Sequence, residues 1–211
     1  ANATRFMAMA GLDIPMINHS LRPIADVSLI GDNDLGEVAD KMTNIQTGFN
    51  LKGNQMRQLA DQMTNTFTQT NTDMMMIAES MQYAAPMAHL AGAKVGDALA
   101  LIGVMGNAGI QASMAGTTLR MMYQNIINPN KKQRALWDEL GVQRMDASGK
   151  PRNMIDILSD VANNKKVNEN NLAQVVSGLF RVTASAGAGQ LISDLRKGDN
   201  SLVRKIAEQN N

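Results

Sequence analysis

The sequence predicts an all-α protein, an array of antiparallel helical hairpins with one short β-hairpin or extended turn near residues 142–152. Apolar residues recur every three to four positions through most of the chain, which is the period of an amphipathic helix. The breaks between these stripes are short, as they are between antiparallel neighbours in helix bundles. With 211 residues, of which 44% are hydrophobic, the chain is long enough to bury a core.

The first predicted helix has Pro15 in its opening turn, where the missing N–H costs little, and Pro23 should bend or end it. Asp34, with Glu37 three positions later, resembles a capping box and predicts the start of the next helix. Three apolar stripes then mark successive helices: Val38, Met42, Ile45, Phe49; Met56, Leu59, Met63, Phe67; and Met74, Ile77, Met81, Ala84. Side chains that can cap the later helices are Thr72 or Asp73, Asn168 and Asp199.

Proline and glycine mark the breaks in the middle of the chain. Pro86 should bend or end the helix that contains Tyr83, and Pro129 should close the helix that begins near Ala112. Residues 98–119 carry no charge, and at 1.5 Å per residue they would reach about 33 Å, close to the thickness of a bilayer core. Four glycines and several polar residues interrupt this run. It predicts two short buried helices joined at 106–109, with conditional membrane insertion as the alternative.

The helical period breaks at 142–152, where an Asp-Ala-Ser-Gly cluster lies between short polar–apolar alternations, and this is the strand candidate. Gly187 and Gly189 should loosen the chain before a last helical stretch. A soft division is predicted, with a helical hairpin array in residues 1–128 and a smaller helical lobe, including 142–152, in residues 129–211. A further helix face is formed by Leu172, Val175, Val176, Leu179 and Phe180.

The composition excludes several classes of function. The net charge is +1, so the chain lacks the basic surface that non-specific binding to nucleic acid requires. It has no cysteine for disulfides or thiolate metal sites. The first residues show neither an initiator methionine nor a signal-peptide layout, which indicates a fragment of a longer chain. With 17 Met and 3% aromatic residues, the core should be adaptable and only modestly stable.

No residue pattern predicts catalysis, a cofactor or a metal ion. His19 and His89 are far apart and lack the partner spacing of a metal-binding helix. His19, Ser20 and Asp13 have the residue types of a catalytic triad, but no segment of the sequence resembles a nucleophile elbow. The acidic segment 32–37 has its glycine at the wrong position for a calcium loop, and helix capping explains it better. The glycine series do not match the patterns that bind phosphate.

One ordered set of motifs covers most of the chain. The motif of the structural joint comprises Gly106, Asn107, Ala108, Gly109, Ile110, Gln111, Ala115, Gly116, Thr117, Leu119 and Arg120. The motif of the turn, a possible contact, comprises Leu140, Gly141, Val142, Asp146, Ala147, Ser148, Gly149 and Lys150. Supporting segments are 31–42, Tyr83-Ala-Ala-Pro86 and 151–158. This ordered set resembles the phage tail tape measure protein family, with Ala112 as a departure, because the family more often has glycine there.

The resemblance implies a structural virion protein without enzymatic activity, which takes part in tail assembly, determination of tail length and genome ejection. In this family a long helical chain lies in the tail tube, sets the number of tube rings and leaves ahead of the DNA. The implied partners are the tail tube protein, tail assembly chaperones and baseplate or tail-tip hub proteins, with no specific nucleic acid. The implied state is a homotrimer or homohexamer in the tail lumen or tip, made in the host cytoplasm.

Two other functions stay open. Residues 98–119 could act on the host membrane and help DNA to cross it, and a cell-wall hydrolase is the least supported because no carboxylate or His/Cys constellation is visible. As one helix the chain would span only about 320 Å, and its Gly, Pro and Asn breaks fold it back. We therefore expect a packed module of the tape measure and not its length-setting stalk.

Overall fold

A computed structural model describes residues 4, 5, 8 and 14–211. Residues 14–211 form ten α-helices and two short 3-10 turns, Gly53–Gln55 and Gly198–Asn200, and the all-α prediction is confirmed. In chain order the helices are α1 (Ile14–Gly31), α2 (Leu35–Phe49), α3 (Met56–Gln69), α4 (Met74–Leu90), α5 (Val95–Asn107), α6 (Ala112–Ile127), α7 (Lys131–Leu140), α8 (Met154–Ala162), α9 (Leu172–Leu195) and α10 (Leu202–Asn210).

Side-chain caps fix the starts of several helices. The Asp34 carboxylate accepts hydrogen bonds from the first backbone N–H groups of α2, one of them 2.8 Å long, and Asp73 does the same for α4, as predicted. Two expected caps are wrong. Asp199 lies in a 3-10 turn, and Ser201 caps α10 instead. Asn168 accepts from backbone N–H groups in the turn before α9, which begins four residues later.

Five helix ends share one geometry, in which the chain turns through a residue with positive φ. In each, the N–H of the following residue donates to the carbonyl five positions back, which is the Schellman motif. This motif satisfies carbonyl groups that the helix end would otherwise leave unpaired, and it reverses the chain in few residues. The positive-φ residues are Asp32, Asn50, Gly92, Gly109 and Gly141, at the ends of α1, α2, α4, α5 and α7.

Pro129 follows the end of α6, as predicted, but Pro23 and Pro86 do not end their helices. Pro23 lies inside α1 and Pro86 inside α4, which continues to Leu90. A proline inside a helix removes one backbone hydrogen bond. Buried apolar residues continue on both sides of Pro86, at Met81 and Ala88, and their packing holds the helix together across it.

The closest packing joins every second helix. The most extensive contact is that of α4 with α6, and α2 also packs closely on α4. Small residues permit this approach, since a Cβ built on Gly48 of α2 would lie 2.7 Å from the Cβ of Ala85 in α4. The predicted array, in which consecutive helices pair as antiparallel hairpins, is therefore not confirmed. The spacing of apolar residues along the chain predicts the helices, but it does not predict which helices pack against each other.

The segment near 142–152 is a turn with a single antiparallel bridge between Met145 and Pro151. No strand is formed anywhere in the described part of the chain, so the predicted β-hairpin is not confirmed. The reason is local, because Pro151 has no N–H to donate to a ladder. The next bond outward, from the N–H of Arg152 to the carbonyl of Arg144, is 2.9 Å long.

Methionine fills the core, as predicted. Of the methionines described, eight are at most 2% exposed: Met42, Met56, Met63, Met74, Met81, Met105, Met122 and Met154. A rigid aromatic contact accompanies them, with the rings of Trp137 and Phe180 edge to face and 5.6 Å apart. Across the predicted division near residue 128, α9 packs on α6 and α10 on α5. The division into 1–128 and 129–211 stays a prediction.

Helix α9 is broken within its length at Arg181, whose φ and ψ are 65° and 163°. Only glycine adopts this region readily, and another residue there costs on the order of 1–3 kcal/mol. We expected the chain to loosen at Gly187 and Gly189, which is wrong, since both lie in regular α9. Gly187 serves close packing, because a Cβ there would lie 2.6 Å from Thr118 and 2.7 Å from Met105.

Candidate functional site

The joint at 106–111 is one of the five Schellman corners. Gly109 has a φ of 79°, which explains why glycine stands there. The N–H of Ile110 donates to the carbonyl of Met105 at 3.1 Å, and the N–H of Gly109 donates to that of Gly106 at 3.0 Å. Ala108 is the C-cap of α5, and Ile110 packs against the core. The tight joint predicted from the glycines is formed.

Two amide side chains attach this joint to the loop between α3 and α4. The Asn107 side chain accepts from the N–H of Asn71 at 2.6 Å. The Gln111 side chain donates to the carbonyl groups of Asn71 and Gly106, both at 3.2 Å. A side chain at Gly106 would overlap the hydroxyl of Thr72. The joint therefore fixes the start of α4 as well as the angle between α5 and α6.

The rest of the first motif places α6 against α4. Ala115 and Leu119 are buried. A Cβ at Gly116 would overlap the backbone carbonyl of Ser80 and lie 2.7 Å from the Cβ of Tyr83. The hydroxyl of Ser80 donates to the carbonyl of Ala112 at 2.8 Å. Thr117 is half-buried, while Arg120 is exposed. Glycine at 116 thus allows the most extensive helix contact in the fold.

Two segments that carry the family resemblance meet on the outer side of this contact. Tyr83 and Pro86 of α4 face Arg120 and Gln124 of α6 across a groove of about 590 Å³, which Gln82 and Met87 complete. Tyr83 is 44% exposed. Arg120 has no hydrogen bond or ion pair within residues 14–211. We call these six residues the α4–α6 groove.

The groove has the composition of a protein contact surface. Tyr, Arg and Met are enriched at protein interfaces, and Tyr and Arg supply many of the residues that dominate binding. Other exposed apolar side chains on these two helices are Met76 and Leu90 of α4 and Met114 of α6. The sequence missed this site, because nothing in it shows that Tyr83 and Arg120 meet.

The second motif forms an exposed turn. Gly141 ends α7 with a φ of 70°, between the buried side chains of Leu140 and Val142. One oxygen of Asp146 accepts from the hydroxyl of Ser148 at 2.7 Å, from the N–H of Ser148 at 2.8 Å and from the N–H of Lys150 at 3.0 Å. The hydrogen bond from the Ser148 side chain is the main cause that lowers the pKa of Asp146. Gly149, with a φ of 80°, completes the turn.

The tip of the turn is open to solvent, since Ala147, Ser148, Gly149 and Lys150 are all exposed. Its base is attached to α6 by Arg144, whose guanidinium donates to the carbonyl of Ile126 at 2.6 Å. No residue spacing in the sequence predicts that Arg144 attaches the turn to α6. The turn lies apart from the joint, as none of the described hydrogen bonds connects the two. It is an exposed turn held by hydrogen bonds within itself.

Asp97 is a buried acid that sequence reasoning did not single out. Its carboxylate accepts from the side-chain amides of Asn211 at 2.6 Å and Asn153 at 2.8 Å. Burial raises the pKa of Asp97 despite these two donors. The group links the first turn of α5 to the start of α8 and the end of α10. This arrangement connects distant parts of the fold and presents no reactive group to solvent.

The residues considered for chemistry are placed as follows. His19 and His89 are both exposed. Asp13, the acid that was considered with His19 and Ser20, lies outside the described residues. The side chain of Asp34 caps α2, which is the role predicted for the acidic segment. In the described ranges no group of three His, Cys, Asp or Glu side chains could hold a metal ion.

Residues 98–119 divide between α5 and α6, as predicted. Every residue from Gly96 to Gly106 is buried, which makes α5 the centre of the fold. Within the described part of the chain, none of the helices combines the length and the apolar character needed to span a bilayer.

The residue that departs from the family pattern is strained. Ala112 has a φ of 51°, where an L-residue other than glycine costs roughly 1–2 kcal/mol. We predict that Ala112→Gly raises the free energy of unfolding by about 1 kcal/mol, after the greater flexibility of glycine in the unfolded chain is subtracted. Urea denaturation measures this change. Ala108→Gly, at a φ of −92°, is the control and should not stabilise; a loss of stability in Ala112→Gly would refute the assigned strain.

Comparison with known proteins gives one family. The profile of the phage-related minor tail protein family matches residues 1–180. The chain is 33% identical over 156 residues to the tape measure protein of Pneumococcus phage Dp-1, covering 74% of the chain and 13% of that protein. It is 26% identical over 201 residues to the probable tape measure protein of Escherichia phage P2, covering 94% of the chain and 25% of that protein. No solved structure matches the chain.

The chain thus spans a quarter or less of the length of these two relatives. The match of the family profile nevertheless covers the joint, the groove and the turn described above. The chain belongs to the phage-related minor tail protein family, as a member of the phage tail tape measure proteins.

Proposed function

We propose that these residues form a packed contact module of a tail tape measure protein, which acts in tail assembly, in the determination of tail length and in genome ejection. The relatives support a structural role in the phage tail. The module would lie in the lumen or at the tip of the tail, after synthesis in the host cytoplasm. It has no catalytic role in this proposal, in keeping with a structural family.

One observation carries the proposal: the chain folds back on itself. The longest helix, α9, has 24 residues and would reach about 36 Å even if it were straight. A length-setting stalk requires a continuous extended chain, and the ten helices share one buried core instead. The ruler therefore lies in other parts of the full-length protein, and this module holds the ruler to its neighbours.

We assign the contact to the α4–α6 groove. Within residues 14–211, Arg120 has no hydrogen-bond or ion-pair partner, and it lines the groove together with Tyr83 and Met87. It suits a partner segment that places an apolar side chain in the groove and a carboxylate against the guanidinium. The tail tube protein, an assembly chaperone and a baseplate or tip hub protein are the candidate partners. The exposed turn at 146–150 supplies a second contact, and copies of the chain would assemble as a trimer or hexamer.

The core is compatible with ejection through a narrow tube. The chain has no disulfide to resist unfolding, and methionine side chains fill much of the interior. Local opening costs less where packed contacts are adaptable. Modest stability of the module stays a prediction. The alternative of a membrane-active segment at 98–119 would require exposure of α5, which is buried along its length.

Tail length tests the proposal. We predict that an insertion of forty helix-forming residues, mainly Ala, Glu and Lys, between Glu169 and Asn170, in an exposed loop outside the groove and the turn, leaves tail length unchanged. If these residues were part of the ruler, forty more would lengthen the tail by about 60 Å at 1.5 Å per residue. Electron micrographs of purified tails measure the length, and mass spectrometry verifies that the chain is present. Longer tails, or tails that lack the chain, would refute the proposal.

A further inference from the structure

The break in α9 lies within a series of regularly spaced buried residues, which continues on both sides of it. Val176 and Phe180 before the break, and Ala184, Ala188 and Ile192 after it, are buried at intervals of four residues. This is the spacing of one continuous amphipathic helix. Arg181 at the break is exposed and is not glycine, so neither its side chain nor its type accounts for a φ of 65°. The cause lies in what the neighbouring helices do to the backbone of α9.

Two buried amide side chains hold the backbone at the break. Gln133 of α7 donates to the carbonyl of Leu179 at 2.8 Å, and Asn125 of α6 donates to the carbonyl of Phe180 at 3.3 Å. In an unbroken helix these carbonyl groups would accept from the N–H groups four residues later, those of Thr183 and Ala184. We call Asn125 and Gln133 the amide bracket.

The amide bracket is itself fully hydrogen-bonded. Gln133 also donates to the side-chain oxygen of Asn125 at 2.9 Å, and its own oxygen accepts from the N–H of Asn130 at 2.8 Å. Asn125 donates to the carbonyl of Met121 at 2.8 Å. Asn125 and Gln133 are 3% and 2% exposed. Buried amides with every partner in place fix one arrangement of the backbone, because any other would leave polar groups unpaired.

We infer that α9 is a two-state element, broken while the amide bracket holds the carbonyl groups of Leu179 and Phe180 and continuous when the bracket is released. Strain at Arg181 favours the continuous form, and the bracket favours the broken form. The two halves of α9 pack on different neighbours. Phe180 meets Trp137 of α7, while Gly187 lies against Met105 of α5 and Thr118 of α6. Straightening α9 would move one half relative to its neighbours and so alter one of these contacts, and the module would change its outline without unfolding.

Backbone chemical shifts of the 211-residue chain test this inference. The variant Asn125→Leu with Gln133→Met removes both donors and keeps similar volumes. We expect the Cα shift of Arg181 to move into the helical range and the amide groups of Thr183 and Ala184 to become at least tenfold better protected from hydrogen exchange. Arg181→Gly alone relieves the strain and keeps the bracket, so the shifts of Phe180 and Val182 should stay at their wild-type values.

Each outcome decides the question. Helical shifts in the bracket variant, with the break unchanged in Arg181→Gly, support the two-state helix. Wild-type shifts in a folded bracket variant, or helical shifts in Arg181→Gly, overturn it. If the bracket variant does not fold, Asn125→Leu with Arg181→Val gives the answer, since the donor to Phe180 is lost and a β-branched residue disfavours positive φ. A shift of residue 181 into the helical range supports the inference, and an unchanged break or a loss of helix overturns it.

Discussion

Gly116→Ala should lower the free energy of unfolding by about 3 kcal/mol, at the upper end of the usual cost of adding volume to a packed interior. The new Cβ would overlap the backbone carbonyl of Ser80 and lie 2.7 Å from the Cβ of Tyr83. Neither atom is the end of a flexible side chain, so α4 and α6 must move apart. Since this pair is the most extensive helix contact in the fold, the displacement reaches most of the core. Urea denaturation followed by circular dichroism measures the loss.

Gly189→Ala is the matched control for this prediction. It is the same change inside a helix, but a Cβ there has no neighbour within 4 Å. Alanine is the better helix former by roughly 0.5–1 kcal/mol, so Gly189→Ala should stabilise the protein. Opposite signs for the two variants would establish close packing as the cause. Equal effects would show that the α4–α6 contact has no special role.

The sequence was sufficient to predict the helices and many of the residues at which they begin and end. Stripes such as Met56, Leu59 and Met63 have a period that only a helix can turn towards one core. The caps Asp34 and Asp73 and the corner at Gly109 depend on hydrogen bonds within a few residues, so their residue types predict them directly. Hydrogen bonds within a few residues can be predicted without knowing which helices lie nearby.

The parts that could not be predicted depend on partners distant in sequence. The packing of α4 on α6, which is more extensive than its packing on its chain neighbour α5, depends on where Gly116 meets Ser80. The break in α9 depends on Asn125 and Gln133, more than forty residues before Arg181. At Pro86 tertiary packing outweighed a local rule. The glycines of α9 were misjudged for the same reason, since Gly187 is small to fit Met105 and not to bend the chain.

The candidate site, too, was predictable only in part. The resemblance pointed to the segments that contain Tyr83 and Arg120, but spacing along the chain cannot show that they line one groove. The structure brings them together because Gly116, one turn before Arg120, allows α6 to lie directly on α4. A residue that permits packing therefore positions the residues that line the groove. The joint and the groove are two parts of one arrangement.

The second large effect concerns this groove. The variant Tyr83→Ala with Arg120→Glu should reduce the number of assembled tails at least tenfold, because truncating residues of this kind at an interface typically costs 2 kcal/mol or more, about 30-fold in affinity. Both side chains are exposed, so the folded module should keep its stability to within about 0.5 kcal/mol. Arg22→Glu reverses an exposed charge on α1 and serves as the control.

The number of complete tails per infected cell, counted in electron micrographs of lysates from phage that carry these variants, tests the central claim most directly. The claim is that the module is a folded structural part of the tail that acts through the α4–α6 groove. The groove variant should therefore yield few tails while its melting temperature matches the wild type, and Arg22→Glu should yield wild-type numbers. A wild-type number of tails from the folded groove variant would contradict the claim.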